Sequence, residues 1–317
     1  MSYNRCMSAL LHPFYFPSPR EMADALARAL PQFGDVQWHP EIGSTNALLL
    51  ERLKGASDTA FTPWLLGTHH QVSGRGRAGR AWQHAERACL ILSCAFVANI
   101  PARRLPALAP LVGLVSCEAL NALVPEARPA LNLKWPNDVQ YKGAKIAGIL
   151  VETTRAPNGE SYGIVIGMGL NLCDGAVLSA ALGRKVADWS EVTASCLKAP
   201  GTGPAYQTDS NDSAAESRDS LDDSLAPYHD ASRIAATLAT HWARLIEHYS
   251  SEDFGAFALR YAAVDALADQ AVNVIDQGSI LFSGVARGCD ADGRLRVETD
   301  EGMRHVHVGD VSVRRTS

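Results

Sequence analysis

The segment that most constrains the fold is Gln71 to Trp82, QVSGRGRAGRAW, which contains three arginines and three glycines within seven consecutive residues. Apolar, β-forming stretches precede and follow it, WLLGTHHQ and ACLILSCAFV, so the segment must connect two buried strands. Glycine backbones are flexible, so ordering such a loop costs much conformational entropy. Guanidinium groups bind carboxylates and phosphates and stay charged in any environment. The pattern therefore predicts a loop that closes over a small anionic ligand.

An exposed Gly-Arg segment that binds RNA, or one that is merely flexible, is the alternative interpretation of this loop. Trp82 follows the last arginine almost directly, and an aromatic side chain at that place fixes the end of the loop by packing. RNA-binding Gly-Arg segments also tend to lie at chain termini and to recur. The context therefore favours the ligand clamp.

A polar cluster, Ser44-Thr45-Asn46, lies at the predicted start of a helix. Such residues commonly cap helices, because their side-chain oxygens accept hydrogen bonds from unpaired backbone N–H groups. The same groups could instead hydrogen-bond a neutral polar part of a ligand, such as a ureido or amide group. The residues alone leave both roles open.

Lys145 begins the apolar strand KIAGILVET. Strict alternation predicts that Ala147 and Ile149 share its face, and that Gly148 leaves space beside the backbone. A strand lysine is usually a solvated surface residue. In a central strand, however, its ammonium could stabilise the charge that develops on a carboxylate and an α-phosphate when an adenylate forms.

Lys134 and Asp138 flank a proline turn in the stretch KWPND. Asp138 could contribute a ligand to Mg²⁺, which takes one or two carboxylates plus substrate phosphates. An ordinary surface turn is the alternative for Asp138. Further along, GMGLNL lacks the third glycine and the helix of a dinucleotide-binding fingerprint, so it predicts only a strand end packed closely against another element.

The order of the predicted elements indicates an α+β fold with two domains. KIAGILVET and SYGIVIGMGLNL flank an Asn-Gly turn and predict a hairpin. Residues 199–231, rich in Gly, Ser, Asp and Thr, predict a disordered insertion. The last fifty residues alternate β-forming segments with Asp/Gly turns and predict a small β-barrel. We therefore expect a larger domain at 1–266 and the barrel at 267–317.

Composition excludes several classes of protein. The net charge is -5. Residues 201–230 contain seven carboxylates and one basic residue, Arg218, so the charges of the rest of the chain nearly cancel. Such a balance does not indicate a nucleic-acid binder. The seven cysteines form no C-x-x-C pair, which argues against a zinc site and favours a reducing compartment. No apolar run reaches the roughly 20 residues that span a bilayer. We expect a cytoplasmic protein with no membrane and no nucleic-acid partner.

Four stretches together, GSTN, Q-x-x-GRGRxGRxW, KWPNDxxxxxxKIAGILVE and GxGxN, resemble the biotin protein ligases in their order and spacing. The resemblance is close from about Val36 to Leu172 and looser over the barrel. It implies a catalytic domain of mixed sheet and helices, related to class II aminoacyl-tRNA synthetases and lipoate ligases, followed by an SH3-like barrel. It also implies two reactions: biotin and ATP form biotinyl-5′-AMP, and biotin then passes to a lysine of the biotin carboxyl carrier protein of acetyl-CoA carboxylase.

The resemblance further implies roles for individual residues. Those expected to contact biotin are Ser44, Thr45, Asn46, Gln71, Arg75, Gly76, Arg77 and Lys145. Those expected to contact the nucleotide are Arg80, Trp82, Lys134, Asn137 and Asn171. Lys145, Arg75 and Arg77 would be catalytic, and Asp138 would hold the Mg²⁺ that accompanies ATP. No tightly bound prosthetic group is implied.

Two alternatives stand beside this hypothesis. A lipoate or octanoate ligase of related fold carries an R-R-x-x-G-G-G stretch in place of the arginine loop, and that stretch is absent here. A non-catalytic biotin-sensing protein has no use for Lys145 and Asp138. Some biotin ligases also repress genes through an N-terminal DNA-binding domain, but only about forty residues precede Ser44, so we expect no repressor function. Oligomeric state, the carriers served and the role of the insertion stay open.

Overall fold

The computed structural model describes residues 16–55, 61–84, 87–124, 131–156, 159–196, 230–249, 254–309 and 311–316. The predicted insertion therefore lies outside the described residues, except at its end. The chain resumes at Asp230, whose carboxylate accepts hydrogen bonds from the backbone N–H groups of Ser232 and Arg233 and so caps a helix that begins at Ala231. The last residue of the predicted insertion, Ala231, is thus the first residue of this helix, and the predicted disorder of the rest stays a prediction.

The described residues form helices and two β-sheets. The helices are α1 Pro19–Ala29, α2 Thr45–Lys54, α3 Leu108–Leu123, α4 Gly175–Leu182, α5 Trp189–Cys196, α6 Ala231–Tyr249 and α7 Ala258–Val264. The strands of the first sheet are β1 Asp35–Ile42, β2 Trp64–Gln71, β3 Cys89–Ala98, β4 Asn132–Lys134, β5 Asp138–Tyr141, β6 Ala144–Arg155 and β7 Tyr162–Asn171. Those of the second are β8 Ala271–Asp276, β9 Ser279–Cys289, β10 Leu295–Thr299, β11 Gly302–Val306 and β12 Ser312–Arg315.

The first sheet has the order β1-β2-β3-β7-β6-β5-β4, with β1 and β2 parallel and all other neighbours antiparallel. This mixed sheet, packed with helices, confirms the predicted fold class. Its topology brings the end of β2 (Gln71), the start of β6 (Lys145) and the end of β7 (Asn171) to the same edge. The predicted hairpin is confirmed by the long antiparallel pairing of β6 with β7.

Local sequence explains where the first two helices begin. Ser18 and Glu21 form a reciprocal capping box, and Pro19 occupies the first turn of α1. The Ser44 hydroxyl accepts a hydrogen bond from the backbone N–H of Ala47 and caps α2, which stops at Gly55. The capping role of Ser44 is therefore real, and its position fixes where the polar cluster lies.

The second sheet is antiparallel, with the order β11-β10-β9-β8-β12. It packs directly onto the first part of the chain, because the buried indole of Trp135 donates a hydrogen bond to the carbonyl of Gly293 at 3.1 Å. Just before the second sheet begins, the backbone N–H of Ala266 also donates a hydrogen bond to the carbonyl of Leu133, at 2.9 Å. The apolar side of the sheet, including Val272, belongs to one continuous core with Trp135.

Some elements differ from those predicted. Helices α4 and α5 and strand β5 were not predicted, because each is short and lacks a clear apolar period. The long apolar helix begins as a 3-10 turn, Ala102–Ala107, since Pro106 cannot donate an α-helical hydrogen bond. By length and composition the segment Ala102–Leu123 could cross a membrane, but 67% of it is buried inside the protein, as in a core helix.

Candidate active site

One cavity of about 590 Å³ opens at the sheet edge where β2, β6 and β7 meet. Its size is that of a small-molecule site. Every site residue expected from the sequence lines it: Ser44, Thr45, Asn46, Gln71, Arg75, Gly76, Arg77, Arg80, Trp82, Lys134, Asn137, Asp138, Lys145 and Asn171. The structure thus brings together residues from four separate stretches, while their individual roles stay predictions.

The polar cluster forms a neutral end of this cavity. Ser44, Thr45 and Asn46 lie in the first turn of α2 and are all buried. The backbone N–H of Thr45 donates to Oε1 of Gln71 at 2.8 Å, which joins the start of α2 to the end of β2. Buried polar groups need hydrogen-bond partners, so this end favours a ligand that carries donors and acceptors.

The arginine loop is a closed hairpin between β2 and β3. The N–H of Trp82 donates to the carbonyl of Gly74 at 2.9 Å, and the N–H of Gly76 donates to the carbonyl of Arg80 at 2.6 Å. At the tip, Ala78 and Gly79 both adopt left-handed backbone conformations, with φ of 53° and 67°. A side chain tolerates this conformation poorly, so the tip carries some backbone strain at Ala78.

Trp82 lies flat over two glycines that face each other across β6 and β7. A methyl group built on Gly169 would lie 2.4 Å from the indole, and one built on Gly148 would lie 2.9 Å from it. Only glycine permits so close an approach. This confirms the prediction that the GMGLNL strand end packs closely against another element.

Lys145 lies on the same face as Gly148, not with Ala147 and Ile149 as predicted. A register shift in the pairing of β5 with β6 leaves Ile146 as an extra residue, and this bulge breaks the alternation. Ala147 and Ile149 belong to the hydrophobic core. The Lys145 ammonium instead reaches the cavity, 2.6 Å from a carboxylate oxygen of Asp138 and 5.2 Å from the ring centre of Trp82.

Positive charge dominates the other end of the cavity. The described residues of its lining include one carboxylate, Asp138, and seven cations: Arg75, Arg77, Arg80, Lys134, Lys145, Arg184 and Arg314. Burial, together with the neighbouring cations Lys145, Arg314 and Arg315, holds the pKa of Lys134 below its usual value, although Asp138 opposes the shift. Such an excess of cations favours an anionic ligand, which would relieve their mutual repulsion.

Two buried asparagines brace the cavity wall. Asn137 donates to the carbonyl of Ile149 at 2.6 Å and accepts from the Arg77 guanidinium at 3.2 Å. Asn171 donates to the carbonyl of Ala187 at 3.2 Å. Each amide therefore holds neighbouring backbone in place and still lines the cavity.

Several residues that line or support the site were not predicted, among them five with polar side chains. They are Ser93, Glu152, Arg184, Ser312 and Arg314. Single serines, glutamates and arginines carry no local pattern, so the sequence alone offers no signal for them. Ser312 and Arg314 show that the C-terminal sheet forms part of the cavity wall.

Among the described residues no three His, Cys, Asp or Glu side chains come together as a metal site. Asp138 is the carboxylate nearest the cations, and it is engaged by Lys145. A metal ion at this place would therefore need oxygen ligands from a bound substrate. Magnesium is commonly held in that way.

Two protein-family models match the chain. The Biotin/lipoate A/B protein ligase family matches residues 40–171, which contain the end of β1, strands β2 to β7 and most of the cavity lining. The Biotin protein ligase C terminal domain matches residues 268–314, which contain the second sheet. Since both parts occur in one chain and in this order, the chain belongs to the biotin protein ligase family.

Named relatives agree with this assignment. The chain is 34% identical over 154 residues to a biotin–[acetyl-CoA-carboxylase] ligase of Mycobacterium tuberculosis, a match that spans 48% of this chain and 55% of that protein. It is 26% identical over 304 residues to the bifunctional ligase/repressor BirA of Salmonella typhimurium, spanning 95% of this chain and 81% of that protein.

Solved structures show the same fold. The biotin protein ligase from Aquifex aeolicus in complex with biotin and ATP superposes with a TM-score of 0.62 at 22% identity, covering 90% of this chain and all of that one. A biotin protein ligase from Leishmania major in complex with biotinyl-5-AMP gives 0.51 at 15% identity, covering 86% of this chain and 98% of the other.

Proposed function

We propose that the protein is an ATP-dependent biotin ligase, which forms biotinyl-5′-AMP and transfers biotin to a lysine of the biotin carboxyl carrier protein of acetyl-CoA carboxylase. One observation carries the proposal: a single cavity joins a neutral hydrogen-bonding end, at Ser44 to Asn46, to a cationic end where Lys145 meets Asp138. Biotin has a ureido ring and a carboxylate, and ATP supplies the phosphates. The family and the names of the relatives support the same reaction.

In the first step a carboxylate oxygen of biotin attacks the α-phosphorus of ATP, and pyrophosphate leaves. Two anions must approach each other, so the cations of the cavity lower the barrier by offsetting their repulsion. Lys145 lies where it can contact both the carboxylate and the α-phosphate, and the loop arginines Arg75 and Arg77 line the same space. Holding the two substrates in one cavity supplies the rest of the rate.

In the second step the amine of a carrier lysine attacks the acyl carbon of the adenylate, and AMP and a proton leave. The chain needs no nucleophile of its own for either step. The arginine loop lies over the cavity between Gln71 and Trp82, so it can shield the mixed anhydride from water until the amine arrives. We further propose that the protein meets its carrier in the cytoplasm.

Mg²⁺ bound with ATP would neutralise phosphate charge, and Asp138 is the residue that would hold it. The fit rests on the donor set, a carboxylate beside a cationic, phosphate-sized space. Asp138 would hold the ion through the carboxylate that pairs with Lys145 in this structure. Among the described residues that line the cavity, no other carboxylate competes for that task.

A lipoate or octanoate ligase fits the cavity less well. The acyl end of those substrates is apolar and would offer no hydrogen bond to the buried polar groups of Ser44, Thr45 and Asn46, whereas a ureido ring would. A biotin-sensing protein without catalysis would gain nothing from the half-buried Lys145–Asp138 pair. The geometry thus supports biotin activation over both alternatives.

Replacing Lys145 with alanine tests the proposal, because it removes the cation placed between carboxylate and phosphate. We expect Lys145→Ala to slow biotinyl-5′-AMP formation by about 10²-fold or more, the usual loss for one charge-stabilising group. The rate is measured as pyrophosphate release from purified protein with biotin, ATP and Mg²⁺.

Lys54→Ala is the matched control, since Lys54 is an exposed lysine of α2 paired only with Glu51. It should keep the wild-type rate. Thermal unfolding should show that both variants are folded. Failure of the wild type to form biotinyl-5′-AMP would overturn the proposed function, whereas equal rates for Lys145→Ala and wild type would overturn only the role of Lys145.

A further inference from the structure

We infer that Glu152 orients the amide of Asn46, and that this orientation makes the neutral end of the cavity an acceptor for the two N–H groups of a cyclic urea. The inference rests on the proposed function and adds a positioning residue to it. Glu152 lies in β6 and does not touch the cavity. It acts through Asn46, which does.

The contacts of Asn46 permit only one orientation of its side-chain amide. The Nδ2 atom lies 2.8 Å from Oε2 of Glu152 and 3.3 Å from the carbonyl oxygen of Leu150. An ionised carboxylate and a carbonyl can only accept hydrogen bonds, so the NH₂ group must face them. Both of its protons are used there, and Oδ1 is left as the polar atom on the other side.

Ser93 extends this constraint to Thr45. The Oγ atom of Ser93 lies 2.6 Å from Oδ1 of Asn46 and 2.6 Å from Oγ1 of Thr45. Because Oδ1 can only accept, the Ser93 proton points to Asn46, and the Thr45 hydroxyl must donate to Ser93. The Thr45 hydroxyl also lies 3.2 Å from Oε1 of Gln71, but the shorter contact needs its proton.

The hydrogen bonds that run from Glu152 through Asn46 and Ser93 to Thr45 therefore fix which donors and acceptors the cavity presents to a ligand. Oδ1 of Asn46 and Oγ1 of Thr45 can only accept from a ligand. Oε1 of Gln71 already accepts from the Thr45 backbone, which leaves its Nε2 as a donor, and the Ser44 hydroxyl can donate as well. Two acceptors and two donors match a cyclic urea, which carries two N–H groups beside one carbonyl.

Without Glu152 this pattern would be lost. The Asn46 amide could rotate by 180° and present its NH₂ to the ligand, where it would oppose a ureido N–H. The contact with Glu152 is charge-assisted and 2.8 Å long, whereas the Leu150 carbonyl oxygen, the other acceptor, lies 3.3 Å from Nδ2 and holds the amide less firmly. A residue that only supported the fold would instead weaken all ligands alike.

The test compares biotin with a lactam analogue in which CH₂ replaces one ureido N–H. Wild-type protein should bind the lactam roughly 30-fold more weakly, because a buried acceptor loses its partner. Glu152→Ala should weaken biotin binding by about 10-fold and leave lactam binding nearly unchanged, so that the preference falls to about 3-fold. Calorimetry measures both dissociation constants.

Kinetics give a second readout. In Glu152→Ala the KM for biotin should rise by about 10-fold while kcat at saturating biotin stays within roughly 3-fold, since the reacting carboxylate lies at the other end of the cavity. Glu152→Gln can still accept from Asn46 but can also donate to a rotated amide. Its preference for biotin should therefore fall between those of wild type and Glu152→Ala.

Thr153→Ala is the matched control, because Thr153 is the next residue of β6 and is exposed. It should behave as wild type. If wild-type protein binds no biotin, the proposed function fails. If wild type binds biotin and both Glu152 variants keep the full preference over the lactam, the inference is wrong. Should Glu152→Ala not fold, an unchanged preference in Glu152→Gln overturns it.

Discussion

At the scale of single residues, the smallest side chains do as much for the site as the charged ones. Gly148 and Gly169 form a flat floor for Trp82, and Trp82 in turn contacts the Lys145 ammonium through its ring face. The indole also borders the buried thiol of Cys89, whose pKa burial raises to about 12, so that it stays uncharged. The environment around the ring is therefore apolar and closely packed.

Adding one methyl group to this floor should displace the indole. The Cβ of Gly169→Ala would lie 2.4 Å from Trp82, far inside van der Waals contact. We expect at least about a 10-fold lower kcat/KM for biotinyl-5′-AMP formation, because the displaced ring enters the substrate space. Pyrophosphate release measures it.

Gly43→Ala is the control for that substitution, since a methyl group on Gly43 meets nothing within 4 Å. Gly43 directly precedes the polar cluster, so the control also probes the same neighbourhood. Unchanged kinetics in Gly169→Ala would show that the position of Trp82 over the sheet does not matter for the reaction.

Residues with distinctive chemistry could be predicted from the sequence, and residues with ordinary chemistry could not. The arginine loop, KWPND and Lys145 stand out because cations and glycines are unusual between buried strands. Glu152 looks like any half-buried strand residue, and its partner Asn46 is far away in the chain. The prediction that Lys145 shares a face with Ala147 and Ile149 was wrong, because strict two-residue alternation does not reveal a β-bulge.

At the scale of elements, the turn between β9 and β10 connects the two sheets. Asp290 organises this turn by accepting hydrogen bonds from the N–H groups of Asp292 and Arg294, from the Arg294 side chain and from His305. The turn then presents the carbonyl of Gly293 to Trp135. A carboxylate in the C-terminal sheet thus helps to position the KWPND stretch.

The stability contributed by Asp290 should depend on pH. Partial burial raises its pKa, but the hydrogen bonds outweigh burial and hold the pKa below its usual value. A carboxylate with a depressed folded pKa stabilises the protein above its unfolded pKa, about 3.9, and loses that contribution as the pH falls through the folded pKa. Asp290→Asn should therefore lower Tm by about 2–4 °C at pH 7, with the difference shrinking below about pH 4.

Differential scanning calorimetry between pH 3 and 7 measures this dependence. Asp292→Asn serves as the comparison, because Asp292 lies in the same turn but is exposed and makes one ion pair, with Arg294. It should shift Tm by less than about 1 °C. A Tm difference for Asp290→Asn that is constant with pH would show that its ionisation contributes nothing.

Elements with a strong period were predicted almost to the residue, and short elements were not. Strand β2 and helix α2 follow from clear patterns and caps. Helices α4 and α5 are held by contacts between distant residues: Asp188 accepts from the N–H of Gly175 at the start of α4, and the N–H of Ser190 in α5 donates to the carbonyl of Leu172, just after β7. Such long-range contacts leave no local mark, which is why these two helices were missed.

At the scale of the whole molecule, Arg77 connects three separate parts of the chain. Its guanidinium donates to Asn137 of the KWPND stretch and to the carbonyls of Gly309 and Val311, just before β12. Arg80 adds a bond to Ser312. The arginine loop is therefore held down by the C-terminal sheet, and that sheet takes part in closing the cavity.

Removing this connection should let the loop open while the adenylate is bound. We expect Arg77→Gly to release free biotinyl-5′-AMP at least about 10-fold faster than wild type, because the loop loses its bonds to both other parts and gains backbone freedom. Released adenylate is measured by chromatography, and by biotin labelling of lysines in an unrelated added protein. Arg103→Gly, which removes an exposed arginine outside the cavity lining, should show neither effect. Retention of the adenylate by Arg77→Gly would mean that the loop stays closed without the C-terminal sheet, and that closure depends on the ligand alone.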